Sequence, residues 1–534
     1  MNKRYLALIA MVAVFALSFN ALYAPVAGAQ ASQDKANESH PLTLEALEAQ
    51  VFEKARQLAL EPYQEPSEKA PDFLKGLTYD QWRDIRFKPE KALWRDEGLP
   101  FQLQFFHLGF YYEYPVKINV VTDQGIMQVP FSPELFDYGK NALPKEELEG
   151  LGFAGLRVHY PVNRPDYHDE LIVFLGASYF RALGKNQRYG VSARGLAVDT
   201  ALPKGEEFPH FKEFWIVKPT PDAKSLTIYA LLDSQSLTGA YKFFVQPGEN
   251  TAVDVKAAVF RRKDVEKIGI APLTSMFYYG ENSRNRPDDY RPEVHDSDGL
   301  MIALGNGEWL WRPLNNPPRL ATSAFQAEKL AGFGLLQRDT NFDHYQDLEA
   351  RYDLRPSVWI SPREDWGEGH VELIEIPTTW ETTDNIVAFW VPKSLPALGE
   401  PVSFSYRMGW YLPKGSPHGG GYVVATRTGK GKDEGVRRFV VDFEGGALNA
   451  IPADVGLTSV VTVTEGMEIL EKILMRNEVT GGWRLVLEVR PAKGGPIEQL
   501  IPERRPRVEM RAFLKKGEDL PDVLTETWSY SYQP

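Results

Sequence analysis

Leu226-Thr227-Ile228-Tyr229-Ala230-Leu231-Leu232, Tyr241-Lys242-Phe243-Phe244-Val245 and Thr251-Ala252-Val253-Asp254-Val255-Lys256-Ala257-Ala258-Val259-Phe260 follow one another with short breaks between them. Each run is rich in β-branched and aromatic residues, and Asp, Ser, Gly, Pro and Asn punctuate the gaps, which is the signature of successive strands. Working outward, similar runs occupy 103–110, 117–121, 156–159 and 213–217. Many short strands, irregular turns and few helices predict an all-β body, an antiparallel sandwich or barrel-like fold rather than alternating β/α units. Two helices precede it. In the first, over 42–60, Leu44, Leu47, Val51, Ala55 and Leu58 recur at helical spacing between the cap residue Thr43 and the terminator Pro62. The second is short, over 79–85. Pro and Gly then concentrate in Leu412-Pro413-Lys414-Gly415-Ser416-Pro417-His418-Gly419-Gly420-Gly421, which reads as a linker between a large sandwich over 30–411 and a smaller one over 422–534. Some 110 residues of further short strands suit an Ig-like sandwich, read as a packing or docking module.

The two ends of the composition are equally informative. Lys3 and Arg4 precede an uncharged apolar run over 5–17, and Ala27-Gly28-Ala29 follows. That order predicts a signal peptide over 1–29, cleaved after Ala29, in place of a retained membrane anchor. The 534 residues include no Cys, which excludes disulfides, thiolate metal sites, a Cys nucleophile and a lipoprotein anchor. A formal charge of −12 argues against nucleic acid as a partner. An aromatic content of 12%, with 12 Trp and 24 Tyr, suits either a large β-core or the stacking of sugar rings.

Familiar catalytic signatures are missing: no H-E-x-x-H, no phosphate-binding loop, no G-x-S-x-G elbow. The nine His lack metal-ligand spacing, no cofactor is called for, and Gly332-Phe333-Gly334 reads as a turn. Two stretches concentrate polar and aromatic groups. The first runs from Phe277 to Leu300 and includes Arg291-Pro292-Glu293-Val294-His295-Asp296-Ser297-Asp298. Trp309 and Trp311 follow it, their spacing putting both rings on one face of a strand, as a stacking platform or as core. The second runs from Arg338 through Tyr352-Asp353-Leu354-Arg355 to Trp380-Glu381-Thr382-Thr383-Asp384-Asn385-Ile386-Val387-Ala388-Phe389-Trp390. Asp384 stands where a loop enters an apolar strand. Desolvation there raises a carboxyl pKa, as a general acid needs, although an ordinary strand-start Asp fits the same position. Glycoside cleavage needs an acid and a second carboxylate, and 72 acidic residues leave many pairs open.

Several runs resemble one known family: Gly152-Phe153-Ala154-Gly155-Leu156-Arg157, Phe174-Leu175-Gly176-Ala177-Ser178-Tyr179-Phe180-Arg181, Ser192-Ala193-Arg194-Gly195-Leu196-Ala197, the Arg291–Leu300 loop, the Trp309/Trp311 segment and the run 384–390. They are similar to the periplasmic glucan biosynthesis protein G/D family over the whole mature chain. The resemblance implies a galactose mutarotase-like N-terminal sandwich, a small Ig-like C-terminal domain, and a cleft for linear β-1,2-glucan. It implies an endo-acting, inverting β-1,2-glucanase in which Asp384 is the acid and Asp296 the base, with proton transfer relayed through water and a substrate hydroxyl. Tyr352, Arg355, Glu381 and Thr382 would line sugar subsites, and Trp380 would shape one of them. A branching transglycosylase and a non-catalytic scaffold that receives glucan from an inner-membrane synthase are the alternatives. Neither a metal nor stable membrane insertion after signal cleavage is expected.

Overall fold

A computed structural model describes residues 43–533 apart from 285, 453, 501–505 and 518–521. The expected signal peptide over 1–29 lies outside the described residues. The described residues form one compact unit, and it is all-β: two large sheets and a four-stranded one carry nearly all of the regular structure among them. The three runs that open the sequence are the strands Leu226–Asp233, Leu237–Gln246 and Thr251–Arg261. They pair antiparallel in sequence order. Their period of two sends Tyr241, Phe243 and Val245 into the main core, while Lys242 points the other way and donates to Glu48 at 2.7 Å.

Glu48 belongs to the helix Leu44–Leu60, which Thr43 caps by accepting from the Ala46 amide. The helix lays Leu47, Val51 and Ala55 on the outer face of this sheet, against Tyr229, Leu231 and Phe260. Burying such Leu and Val side chains stabilises by about 1.5–3 kcal/mol each. The second helix, Tyr79–Arg83, starts with a capping box in which Thr78 and Gln81 satisfy each other's amides.

A ten-stranded sheet covers the inner face of the first. It runs through Gln102–His107, Phe153–Arg164, Tyr167–Leu175, Tyr179–Ala182, Ser192–Arg194, Ile268–Ser275, Ile386–Pro392, Gly369–Glu375 and Ala321–Ala327. Phe174 and Phe180 from this sheet meet Phe243 of the other at 5.1 and 5.2 Å between ring centroids, edge to face. Two β-layers with an aromatic core between them form a sandwich.

The first large sheet continues past the main core into the C-terminal segment. Trp309–Pro313 pairs in parallel with Thr527–Tyr532, with Trp311 opposite Trp528. Trp311 is buried in a second core with Phe439, Leu487 and Tyr530, and Trp309 stacks on Trp359 at 5.7 Å. Of the two roles open to this Trp pair, packing is the one the fold uses. Arg338 lies 3.5 Å from the Trp311 ring centroid and forms a two-pronged pair with Glu526 at 2.6 and 2.8 Å.

One expectation is corrected. Gly332-Phe333-Gly334 is not a turn but the middle of the strand Leu330–Leu336. A Cβ on Gly332 would come within 2.5 Å of the Trp359 indole, and one on Gly334 within 2.2 Å of the Val358 carbonyl. The glycines allow close packing between neighbouring strands, a tertiary requirement that looks like turn composition in sequence.

Candidate functional site

Three consecutive residues at the end of the strand Ile268–Ser275 bring the two polar stretches together. Ser275 pairs with Ile386. The Met276 carbonyl accepts from the Asp296 amide at 2.8 Å. Phe277 is held by Asn385, whose Oδ1 accepts from the Phe277 amide at 2.8 Å and whose Nδ2 donates to the Phe277 and Ile376 carbonyls at 3.0 Å each. Asn385 is fully buried. It therefore fixes the chain next to Asp384 onto the same short backbone segment that fixes Asp296.

Asp296 is 6% exposed. Burial pushes its carboxyl up to about 6; the Arg355 guanidinium, which donates to Oδ1, opposes that rise, and the charge of Asp384 adds to it. Asp384 is accessible to solvent, yet desolvation by surrounding protein is still the largest influence on it and raises its pKa, against the pull of Arg181, Arg194 and Arg355. Access to water combined with crowding by protein describes a carboxyl in a concave surface. Arg181 and Arg194 come from neighbouring strands of the ten-stranded sheet, Tyr179–Ala182 and Ser192–Arg194. Arg194 is anchored on Glu206 at 2.6 Å and Thr274 at 3.0 Å, and lies over the Tyr179 ring. Arg181 lies 4.1 Å over the Tyr189 ring.

The remaining expected site residues surround Arg355. Its guanidinium stacks 4.2 Å over Tyr352 and donates to the Ala350 carbonyl. A Cβ on Gly190 would approach within 3.0 Å of the Arg355 Cβ, so a side chain there would displace it. Tyr352 is buried, and its hydroxyl donates to Glu381 at 3.1 Å. Thr382 is exposed beside them. Trp380 is 72% exposed, its backbone fixed by a two-way exchange with the Thr378 hydroxyl.

Sequence reasoning missed Arg291, Arg181, Arg194 and Asn385 as site residues. Arg291 binds Asp289 through two nitrogens at 2.7 and 3.0 Å, Asp347 at 2.9 Å and Glu381 at 2.6 Å, so it ties the loop bearing Asp296 to the loop bearing Glu381 and Asp384. The only signal for it was the crowding of carboxylates and several Arg in one short segment, and their pairing depends on the fold. Behind Asp296, His295 is raised to about 9: burial alone would lower it, but Glu293, Asp298 and Gln337 prevail. Glu293, Asp339 and His344 place one ligand atom each within 4.8 Å of one another, a group that could hold a metal ion. In this arrangement Glu293 already bonds His295 at 2.9 Å and Asp339 bonds His344.

Fold and site together define a β-sandwich protein with a carboxylate pair at the mouth of a sheet strand, flanked by arginines and the exposed Trp380. The family model "Periplasmic glucan biosynthesis protein, MdoG" matches residues 48–532, and the chain belongs to that family. Glucans biosynthesis protein G of Ralstonia nicotianae is 48% identical over 493 residues, covering 91% of this chain and 95% of that protein. No helix among the described residues is long and apolar enough to cross a membrane.

Proposed function

We propose that the protein acts in the periplasm as an inverting, endo-acting β-1,2-glucanase, with Asp384 as general acid and Asp296 as general base. Glucan is the polymer named for its relative, and the residues 1–29 carry the export pattern. The observation that supports the reading best is the electrostatic coupling of Asp296 and Asp384 across Arg355, with both carboxyls raised. Burial shifts Asp384 in the direction a general acid needs, and a base with a pKa of about 6 is ionised at neutral pH yet still basic enough to activate water. Arg355 favours the ionised form of Asp296. Tyr352, Glu381 and Thr382, gathered by the Tyr352–Glu381 hydrogen bond, would serve as sugar-binding groups, and Trp380 offers an exposed ring face for stacking.

Incubating the protein with linear β-1,2-glucan while following chain length and reducing ends tests this. New reducing ends of inverted anomeric configuration are expected. Unchanged chains that nonetheless bind would replace hydrolysis with a scaffold role, and a constant number of ends with altered linkage would replace it with transfer.

Turnover should rise with pH through about 6 as Asp296 loses its proton. Removing the guanidinium in Arg355→Met takes away the group that lowers the Asp296 pKa, so the rising limb should move to higher pH. A limb that stays in place would detach it from Asp296.

Asn385→Ala leaves the Phe277 amide and the Phe277 and Ile376 carbonyls without their partner. The expected cost is about 1–3 kcal/mol of stability for an unsatisfied buried group. A drop in kcat of about 10²-fold should accompany it, because a shift of about 1 Å in the acid has that effect. KM should change far less. Steady-state kinetics below the unfolding transition check this, and unchanged kcat would show that Asn385 does not position the acid.

A further inference from the structure

Gln337 is fully buried and uses both ends of its amide. It follows directly on the strand Leu330–Leu336, and its backbone N–H donates to the Ser357 hydroxyl at 3.0 Å. Its Nε2 donates to two carbonyls, that of His295 at 2.9 Å and that of Tyr352 at 3.2 Å. Two carbonyl acceptors on one side fix which end of the amide is nitrogen. Oε1 is therefore the atom that faces His295 Nδ1 at 2.8 Å, and that ring nitrogen carries hydrogen. His295 Nε2 donates to the Glu293 carboxylate at 2.9 Å. The imidazole is thus an imidazolium held between two acceptors and stacked on Phe277 at 5.3 Å.

Both carbonyls belong to segments that carry a site residue. His295 immediately precedes Asp296. Tyr352 opens the 3₁₀ turn Tyr352–Leu354, which ends at Arg355, and the Arg355 guanidinium donates to Asp296 Oδ1. The bonds close a ring: from Gln337 to His295, along the chain to Asp296, across to Arg355, and back through the turn to the Tyr352 carbonyl. That turn needs holding from outside. It is entered through Arg351 at φ +47°, a left-handed backbone that persists in a long side chain only where its surroundings enforce it, and Gln337 binds the next carbonyl along. Arg355 and Tyr352 face Asp296 from this turn, Asp384 from the loop before Ile386, and His295 from the preceding residue. Arg355 and His295 favour the ionised carboxylate, whereas Asp384 opposes it.

We propose that Gln337 is a positioning residue: by tying the His295 and Tyr352 carbonyls together it keeps the Arg355 guanidinium on the Asp296 carboxylate. The kinetic consequence rests on the hydrolase reading above, whereas the ring belongs to the fold.

Gln337→Met fills similar space with neither donor nor acceptor. The rising limb of its pH profile should move up by about one pH unit, the scale of a neighbouring opposite charge, with kcat about tenfold lower and KM changed less than about twofold. Ser357→Ala strands the Gln337 amide but leaves the ring closed, so its limb should stay in place. In an Arg355→Met background the ring is already open, and adding Gln337→Met should move the limb no further. Gln337→Glu keeps the acceptor for His295 but cannot donate to two carbonyls, and it serves if the Met variant does not fold. Its limb should rise more in the parent than in the Arg355→Met background, where only its charge acts. Carbon-13 NMR of the full-length protein labelled at aspartate carboxyls, with the Asp296 signal identified by its loss in Asp296→Asn, reads the same titration without substrate. An unmoved Asp296 titration in the Gln337 variants, an equal shift in Ser357→Ala, or a shift undiminished in the Arg355→Met background would each overturn the role. A raised Asp296 titration in a protein that leaves glucan uncleaved would overturn the hydrolase reading alone, and cleavage with an unmoved titration would overturn the positioning role alone.

Discussion

Asp384→Asn is expected to lower glucan cleavage by about 10²–10⁴-fold, the range that general acid catalysis contributes, with the fold intact. The amide has the carboxyl's shape but no acidic proton to give to a leaving oxygen. Asp384 is accessible to solvent and forms no ion pair among the described residues, and its raised pKa means that the ionised form is disfavoured there. Losing the charge should therefore leave stability unchanged or slightly improved, within about 0.5 kcal/mol. Substrate binding should persist. A second consequence follows from the coupling of the pair: Asp296 loses the negative neighbour that helps raise it, so the residual activity should show its rising limb at lower pH. Full turnover in Asp384→Asn, with unaltered unfolding, would remove the residue from the reaction.

Arg338→Met is expected to cost about 3–5 kcal/mol of stability, the penalty for stranding one charge of a buried pair. Glu526 has no exposed side-chain surface. Burial alone would raise its carboxyl, but Arg338 together with His418 and the Val423 amide holds it below the usual carboxylate range. A depressed carboxyl contributes stability above its unfolded pKa and loses it as pH falls through the folded value. Without Arg338 that contribution disappears and Glu526 becomes a proton acceptor. The deficit of the variant should hence be largest near neutrality and shrink on acidification. Adding Glu526→Gln should recover much of the loss. Denaturant unfolding across pH measures all three, and a deficit below about 1 kcal/mol would mean that the pair does not couple the C-terminal strands to Trp311.

The main strands were legible in the sequence because their chemistry is local. Alternation in 226–260 follows from the pleat, and the helix Leu44–Leu60 follows from a cap and a 3.6-residue repeat. Composition could not say whether a glycine pair turns the chain or lets two strands approach, which is why Gly332 and Gly334 were read as a turn. Nor could spacing distinguish a Trp pair that stacks ligand from one that fills a core, since both need the same face of a strand.

Asp384 stood out by itself as a polar residue at the mouth of an apolar strand, and family resemblance singled out Asp296 as its counterpart. Neither signal contains the arrangement that relates them. They are 88 positions apart, and their coupling depends on Ser275, Met276 and Phe277 receiving Ile386, Asp296 and Asn385 in turn. By itself the sequence determined an all-β chain without thiol chemistry and a net acidic surface, because these follow from residue type and local period. Only the tertiary structure decided which arginines face which carboxylates, and which carboxyls are raised. Desolvation and charge coupling depend on distance through space, which a one-dimensional pattern does not carry.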